Sequence, residues 1–129
     1  TICLVAFFNV KIMKKKYSLK RNEEIAKIVN KRICYRNDAF CVYYKSNNQL
    51  NYSRVCISVS KKTGDAVIRN KIKRQIREMV SSIFDFNLPI DYVIVVRFNY
   101  QSNHFKDNLE KLEKLYLKIN PNNNEERNK

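Results

Sequence analysis

The stretch Ser58–Glu78 constrains the fold of this chain most strongly, because a strand pattern gives way to a helix pattern within it. A tight turn is expected at Gly64, and Asp65 is a suitable N-cap for the helix that follows. Beyond the cap, apolar side chains recur at helical spacing and form one narrow stripe. The stripe consists of Ile68, Ile72, Ile76, Met79 and Ile83. We therefore predict a strand, a turn and a helix that docks on a sheet by one face.

The remaining surface of this predicted helix is densely basic. Seven basic side chains between Lys61 and Glu78 are opposed by only two acidic ones. The basic residues are Lys61, Lys62, Arg69, Lys71, Lys73, Arg74 and Arg77. A helix face kept for solubility mixes its signs to form i,i+4 ion pairs, so a run of unpaired cations favours an external polyanion. A merely solvated helix face is the alternative interpretation.

The composition of the whole chain agrees with a polyanionic partner. A formal net charge of +14 and a pI near 9.8 are extreme for 129 residues, a length that fits one domain. Nucleic acid and anionic membranes are the usual partners of such a surface. Eight Tyr and seven Phe lie among the Lys and Arg, which suits single-stranded nucleic acid, because bases stack on rings while cations follow the phosphates. The alternative for most of these rings is a place in the core.

Both ends of the chain differ in composition from its middle. Residues 1–12 are apolar and precede a basic cluster, which is the reverse of a secretory signal, and they are too few to span a membrane. We expect Met13 to be the natural start, so that residues 1–12 are an extension of doubtful authenticity; a genuine short extension is the alternative. Residues 13–119 are expected to form the folded domain and residues 120–129 a disordered polar tail.

No catalytic or metal-binding set stands out in the sequence. The four cysteines, Cys3, Cys34, Cys41 and Cys56, contain no C-x-x-C pair, and His104 is the only histidine, so a zinc site is not expected. Cys41 and Cys56 fall in strand-like runs and are expected to be small buried groups in a reducing cytosol. The carboxylates lack the clustering that a nuclease uses to hold Mg²⁺. We expect neither a catalytic residue nor a metal ligand in this chain.

The periodicity along the chain predicts six elements in the order α-β-β-α-β-α, a two-layer α+β fold in which helices pack on one small sheet. Asn22 is the expected N-cap of the first helix, and Asp91–Phe98 is so apolar that it should lie centrally in the sheet. The two earlier strands are most simply joined as a hairpin. The predicted elements are a short helix after Asn22, strands at Ala39–Tyr44 and Tyr52–Ser60, the basic helix to about Phe84, a strand at Asp91–Phe98 and a final helix that begins near His104.

The Ser58–Arg77 sequence resembles the signature of a known family. It reads Ser-Val-Ser-Lys-Lys-x-Gly-x-Ala-Val-x-Arg-Asn-x-x-Lys-Arg-x-x-Arg and is similar to that of the bacterial ribonuclease P protein component. Leu19–Glu24 resembles that family's entry to its first helix, and Asp91–Arg97 resembles its last strand. The similarity extends from Lys14 to Ile119.

This resemblance implies a protein subunit of an endoribonuclease that removes the 5′ leader from precursor tRNA in the cytoplasm. The large RNA subunit of that enzyme holds the Mg²⁺ ions and does the chemistry, while the small protein binds both the catalytic RNA and the leader. The implied fold has a left-handed β-α-β crossover through the basic helix, although topology rules alone favour a right-handed one. No membrane and no stable protein partner are expected.

The resemblance also assigns two groups of binding residues within an RNA-binding domain at residues 13–119. Those expected to bind the RNA subunit are Lys62, Arg69, Asn70, Lys71, Lys73, Arg74 and Arg77. The leader is expected in a cleft between the sheet and the first helix, lined by Arg21, Ile25, Val29, Phe40, Tyr43 and Ser58.

Several residues depart from the family pattern. Lys71 stands where Arg is usual, so a point charge replaces a bidentate fork. Ile25 and Val29 stand where Phe is common, which removes base stacking and leaves apolar contact. Arg32 replaces a glycine at the end of the first helix, which leaves open a different helix end, and Cys56 replaces a glycine in the second predicted strand.

Two other functions remain open from the sequence. One is a general RNA- or ribosome-binding module without a role in cleavage, because related folds occur in a small-subunit ribosomal protein and in translational GTPases. The other is a basic protein of the membrane surface that uses residues 1–12 as an anchor. The Ser58–Arg77 signature favours the ribonuclease P subunit over both.

Overall fold

The structure is a computed structural model and describes residues 15–120. This part of the chain contains three α-helices and four β-strands, which are joined by short connections. The elements are a 3-10 turn at Lys15–Tyr17, α1 (Asn22–Asn30), β1 (Cys34–Arg36), β2 (Phe40–Ser46), β3 (Arg54–Ser58), a 3-10 turn at Lys61–Thr63, α2 (Ala66–Ile83), β4 (Ile90–Val96) and α3 (Phe105–Ile119). The expectations for residues 1–12 and for the tail beyond Asn120 lie outside the described residues.

The four strands form one sheet in the order β1-β2-β4-β3. β4 is antiparallel to β2 and parallel to β3, so the prediction of a central place for this apolar strand is confirmed. The predicted hairpin between the second and third observed strands is wrong, because β4 lies between them. β4 buries Tyr92 and Ile94 on one face and Val93 on the other. The backbone of a strand covered on both faces needs a hydrogen-bonded neighbour on each edge. If β2 and β3 paired as a hairpin, β4 could not lie between them and would lose one of these neighbours.

The predicted order of elements lacked one strand. β1 pairs with the outer edge of β2, with Cys34 opposite Tyr43 and Arg36 opposite Cys41. Its three residues are half-buried or exposed, so they carry no apolar alternation from which a strand could be predicted. The observed order is α-β-β-β-α-β-α, and the α+β class is confirmed.

The basic helix α2 connects two neighbouring parallel strands. In the register of β3 with β4, Arg54 lies opposite Asp91 and Ser58 lies opposite Val95. The predicted β-α-β unit through the basic helix is therefore present. Its left-handed sense stays a prediction from the family resemblance.

Helices cover both faces of the sheet. α2 and α3 pack on one face and enclose the main core, while α1 lies on the other face over a small cluster of Leu19, Ile28 and Val93. The predicted alternation along β3 is confirmed, since Val55 packs into the main core and Cys56 packs toward α1. None of the helices between residues 15 and 120 is long and apolar enough to cross a membrane.

The N-terminal ends of α1 and α2 differ in their capping. The carboxylate of Asp65 accepts a hydrogen bond from the Ile68 N–H at 3.0 Å, which confirms the predicted cap of α2. Ile68 itself is 44% exposed and not part of the buried stripe, because it packs on the turn, where a Cβ on Gly64 would lie 3.0 Å from its Cδ1. At α1 the predicted cap is wrong: Asn22 is already helical, and Arg21 precedes it without a side-chain cap.

Candidate RNA interface

The first candidate surface is the outer face of α2. Among the residues assigned to the RNA subunit, Lys62, Asn70, Lys71, Arg74 and Arg77 are exposed, whereas Arg69 and Lys73 are half-buried. None of these cations forms an ion pair with another described residue. The Nε of Arg69 is shielded from solvent and has no hydrogen-bond partner between residues 15 and 120. A shielded donor without a partner is costly, and no acceptor among the described residues offsets this cost.

The opposite face of α2 holds the helix rigidly. Ile72, Ile76 and Met79 are almost completely buried in the main core. The side chain of Gln75 accepts a hydrogen bond from the Tyr100 hydroxyl at 2.6 Å and donates one to the Ser102 carbonyl at 2.9 Å. The basic side chains are thus presented on a fixed element of secondary structure.

The second candidate surface is the cleft between α1 and the sheet. Ile25 and Val29 of α1, Tyr43 of β2 and Cys56 of β3 are partly buried around one apolar cluster, and Val95 of β4 joins them. The structure therefore brings together three of the residues assigned to the leader cleft, namely Ile25, Val29 and Tyr43. Two further assigned residues, Arg21 and Ser58, are exposed just before α1 and at the end of β3.

Phe40 does not belong to this cleft. It is fully buried in the main core, where its ring packs edge-on against Tyr100 with 5.5 Å between centroids. Successive side chains of a strand point to opposite faces, so Phe40 and Tyr43, three positions apart on β2, cannot share one face. The assignment of Phe40 to the leader cleft is wrong.

Tyr43 has the Cys41 thiol as its neighbour on β2. Hydrogen bonding with this thiol is the main cause that raises the pKa of Tyr43, and burial raises the pKa of the Cys41 thiol. Both side chains, two positions apart on β2, lie on the cleft face of the sheet. Tyr43 is half-buried, so part of its ring remains accessible for stacking with a nucleobase.

Cys56 lies on the cleft face of β3. Burial raises the pKa of its thiol, and the positive charge of Lys73 acts in the opposite direction. Lys73 itself is a half-buried residue of α2.

A partly buried ion-pair network joins β3, β4 and α1 beside this cleft. Arg54 on β3 donates hydrogen bonds to both carboxylate oxygens of Asp91 on β4, from Nε at 3.0 Å and from Nη2 at 2.7 Å. Its remaining Nη1 donates to Oε2 of Glu24 on α1, also at 3.0 Å. Hydrogen bonding to Asp91 is the main cause that raises the pKa of Arg54.

Comparison with known proteins identifies the family to which these two surfaces belong. The sequence profile of the family described as Ribonuclease P matches residues 13–120. The chain belongs to the ribonuclease P protein family. A ribonuclease P protein component from Mesoplasma florum is 42% identical over 109 residues, which are 83% of this chain and 98% of that protein.

Solved structures of this family share the fold. The ribonuclease P protein of Staphylococcus aureus superposes with a TM-score of 0.68 at 35% identity, over 80% of this chain and 94% of that one. The ribonuclease P protein of Thermotoga maritima superposes with a TM-score of 0.64 at 28% identity, over 76% of this chain and 93% of that one. The chain is accordingly a protein subunit of ribonuclease P, an endoribonuclease of tRNA processing.

One departure from the ribonuclease P protein pattern has a clear structural outcome. α1 ends at Asn30, and Arg32 follows with a φ of 57° in the left-handed region. Its N–H donates to the Val29 carbonyl at 3.1 Å, as in a helix that ends on glycine. The different helix end considered from the sequence does not occur, and Arg32 adopts a conformation that glycine adopts with less strain.

The network of Glu24, Arg54 and Asp91 was missed from the sequence. These residues are 30 and 37 positions apart along the chain, and each has ordinary surface chemistry when taken alone. The one available signal was a carboxylate at the start of the most apolar strand, because a buried acid requires a cationic partner.

Proposed function

We propose that this chain binds the catalytic RNA of ribonuclease P through the outer face of α2 and the 5′ leader of precursor tRNA through the cleft under α1. By gripping both, it assists the endonucleolytic removal of the leader that gives the mature 5′ end of the tRNA. The observation that carries this proposal is the presence of two different surfaces: the outer face of α2, whose cations have no ion pairs among the described residues, and an apolar cleft that includes the Tyr43 ring.

The chemistry of α2 suits a folded RNA. Its exposed cations have no ion pairs among the described residues, and the shielded Nε of Arg69 lacks an acceptor. Phosphate oxygens supply acceptors of the required charge, and each charge-assisted hydrogen bond contributes about 1.5–3 kcal/mol. Because the opposite face of α2 is anchored in the core, the backbone is already ordered, and the entropy cost of these contacts is confined to the side chains.

The chemistry of the cleft suits a single strand. Tyr43 offers a ring, while Ile25 and Val29 offer an apolar wall opposite it. Bases in a duplex are already stacked and cannot enter such a cleft, whereas unpaired bases can stack on a ring with about 1–3 kcal/mol each. The leader is the single-stranded part that distinguishes precursor from mature tRNA.

Catalysis is assigned to the RNA subunit, which would hold the Mg²⁺ ions. Two carboxylates beside the cleft, Glu24 and Asp91, are both paired with Arg54. In this proposal the protein contributes binding and orientation of the substrate, not the group that activates water.

Binding of substrates with different leaders tests the proposal. Holoenzyme reconstituted from this chain and its cognate RNA subunit is titrated with precursor tRNA carrying leaders of increasing length and with mature tRNA. We expect tighter binding of precursors, and Tyr43→Ala should remove part of that preference, about 1–3 kcal/mol if one base stacks there. Tyr35→Ala is the matched control, because Tyr35 is exposed on β1 and its ring stacks on Tyr44 on the opposite face of the sheet.

Equal affinity for precursor and mature tRNA in the wild type would contradict the role of the cleft. A general RNA- or ribosome-binding module is a distinct outcome: RNA recovered with the tagged chain from its source cells would then be mainly ribosomal, instead of one dominant structured RNA.

A further inference from the structure

Helix α1 has one polar attachment to the sheet within the described residues. The contact between Glu24 Oε2 and Arg54 Nη1, at 3.0 Å, is the only side-chain hydrogen bond or ion pair between residues 15 and 120 that joins α1 to a strand. Its partners are not fully exposed, since their side chains are 34% and 19% accessible, respectively. Partial shielding from solvent reduces the screening that weakens fully exposed ion pairs.

The guanidinium that contacts Glu24 is held in place by Asp91. Arg54 and Asp91 are direct neighbours across the parallel strands β3 and β4, so their side chains leave the sheet side by side. The side chain of Asp91 is only 4% accessible, and its Oδ1 also accepts a hydrogen bond from Asn48 Nδ2 at 2.8 Å. With two of its three nitrogens held by Asp91, the guanidinium has one orientation left for Nη1, and it points to α1.

The apolar attachment of α1 is correspondingly small. Ile28 is the only residue of α1 that is buried, at 1% accessibility. Ile25 and Val29 pack only partly on the same small cluster, so few apolar contacts oppose a roll of α1 about its axis. Glu24 lies four positions before Ile28 and so on the same face of the helix, which makes the ion pair a second point of attachment one turn away.

Two points of attachment fix the two side chains that line the cleft. Ile25 directly follows Glu24, and Val29 directly follows Ile28. Each of the two cleft residues is therefore rotated about the helix axis by the same angle from the face of α1 that carries Glu24 and Ile28. We propose that Glu24 is a positioning residue for the leader: through Arg54 it holds α1 at the roll angle that sets Ile25 and Val29 opposite Tyr43. This inference rests on the proposed function of the cleft.

Simple electrostatics makes the opposite prediction. Removal of a carboxylate near a polyanion should tighten its binding, because one repulsive charge is lost. Glu23 provides the matched control: it lies in the same turn of α1, is exposed, and forms no ion pair with any described residue. Glu23→Ala and Glu24→Ala therefore remove the same charge from nearly the same place, and only the second releases α1 from Arg54.

The test compares reconstituted holoenzymes that contain the wild type, Glu23→Ala, Glu24→Ala or Glu24→Gln. The dissociation constants for precursor tRNA and for mature tRNA are measured, together with the affinity of each chain for the RNA subunit and its thermal unfolding. Glu24→Ala should weaken precursor binding about three- to tenfold, the size of one lost charged contact. Glu23→Ala should leave precursor binding unchanged or tighten it, and mature tRNA and RNA-subunit affinities should be the same throughout. Glu24→Gln keeps an oxygen that accepts from Nη1 and should lie nearer the wild type than Glu24→Ala.

Two results would overturn the positioning role while leaving the proposed function intact. One is the same precursor affinity for Glu24→Ala as for Glu23→Ala. The other is a parallel loss of precursor, mature tRNA and RNA-subunit binding by Glu24→Ala, which would show a contribution to stability alone. If Glu24→Ala unfolds, the comparison of Glu24→Gln with Glu23→Gln decides in its place, and weaker precursor binding by Glu24→Gln alone is then expected. A wild type that does not prefer precursor over mature tRNA would overturn both the proposed function and this inference.

Discussion

Phe40 and Tyr43 lie on the same strand, but their rings enter opposite faces of the sheet. Phe40 is fully buried in the main core with α2 and α3, whereas Tyr43 is half-buried in the cleft under α1. Two aromatic residues of one strand therefore have different physical roles, and substitution separates these roles.

The first prediction concerns this pair. Phe40→Leu should lower the free energy of unfolding by about 1–2 kcal/mol, because a leucine fills the buried ring site incompletely. Its holoenzyme should keep the wild-type preference for precursor tRNA. Tyr43→Ala should show the reverse pattern, with reduced preference and a smaller loss of stability. Urea unfolding and tRNA binding on the same preparations provide both readouts, and a loss of precursor preference in Phe40→Leu without unfolding would contradict the assignment of faces.

The second prediction concerns the end of α1. Arg32 has a φ of 57°, a conformation that costs a side-chain-bearing residue about 1–2 kcal/mol relative to glycine. Arg32→Gly should stabilise the chain by about 0.5–1 kcal/mol, since part of the relief is offset by the greater freedom of glycine in the unfolded state. Lys31→Gly is the control, because Lys31 has an ordinary φ of −70° and its replacement should destabilise. Thermal unfolding decides, and equal effects of the two substitutions would count against the strain.

The third prediction concerns the outer face of α2. Arg69→Ala combined with Asn70→Ala should weaken assembly with the RNA subunit by about 2–4 kcal/mol, because charge-assisted contacts are lost. The helix should persist, since alanine is a strong helix former. Lys118→Ala removes the same charge from an exposed site on α3 and should change the affinity much less. Unchanged affinity of the double variant, with a normal circular dichroism spectrum, would refute the role of this face.

The fourth prediction concerns alkaline pH. Burial raises the pKa of Tyr100 to about 12, while the unfolded chain has a tyrosine pKa of about 10. The folded state therefore keeps this proton up to a higher pH than the unfolded state does. The contribution of Tyr100 to the free energy of unfolding is complete below about pH 10 and is lost as the pH rises toward 12. Burial also raises the pKa of Tyr92, which adds to the same trend.

Tyr100→Phe isolates the contribution of Tyr100 to that decline. The variant should be less stable near neutral pH, because the hydrogen bond from the hydroxyl to Gln75 is lost. Between pH 9 and 11.5, however, its unfolding free energy should fall by about 1–2 kcal/mol less than that of the wild type. Tyr35→Phe, at an exposed tyrosine, should retain the wild-type slope. Parallel curves for wild type and Tyr100→Phe would contradict the pKa assignment.

The sequence predicts an element well when the residues that define it are consecutive in the chain. The apolar stripe and the Asp65 cap of α2, and the apolar run of β4, carry their structure in consecutive residues, and both elements were placed correctly. β1 was missed because its three residues are ordered by pairing with β2 and not by their own periodicity. The position of β4 between β2 and β3 likewise depends on contacts between residues that are distant in the sequence. The alternation of residues within one strand does not indicate which strands pair.

The candidate site shows the same division. The basic face of α2 follows from helical spacing, whereas the cleft needs residues from three separate elements. Phe40 was placed in the cleft by resemblance, although the alternation of β2 was enough to exclude it once Tyr43 was included. The contact of Glu24 with Arg54 joins residues 30 positions apart, and no pattern within either segment indicates it.

Reconstituted cleavage of precursor tRNA tests the central claim most directly. Four reactions are compared at one limiting Mg²⁺ concentration: the RNA subunit alone, this chain alone, both together, and the RNA subunit with the Arg69→Ala and Asn70→Ala double variant. We expect no cleavage by the chain alone, and faster cleavage at the mature 5′ end when the chain joins the RNA, with a smaller gain for the Arg69→Ala and Asn70→Ala double variant. Correct cleavage by the RNA-free chain, or an RNA subunit whose rate and substrate affinity are unchanged by the chain, would contradict it.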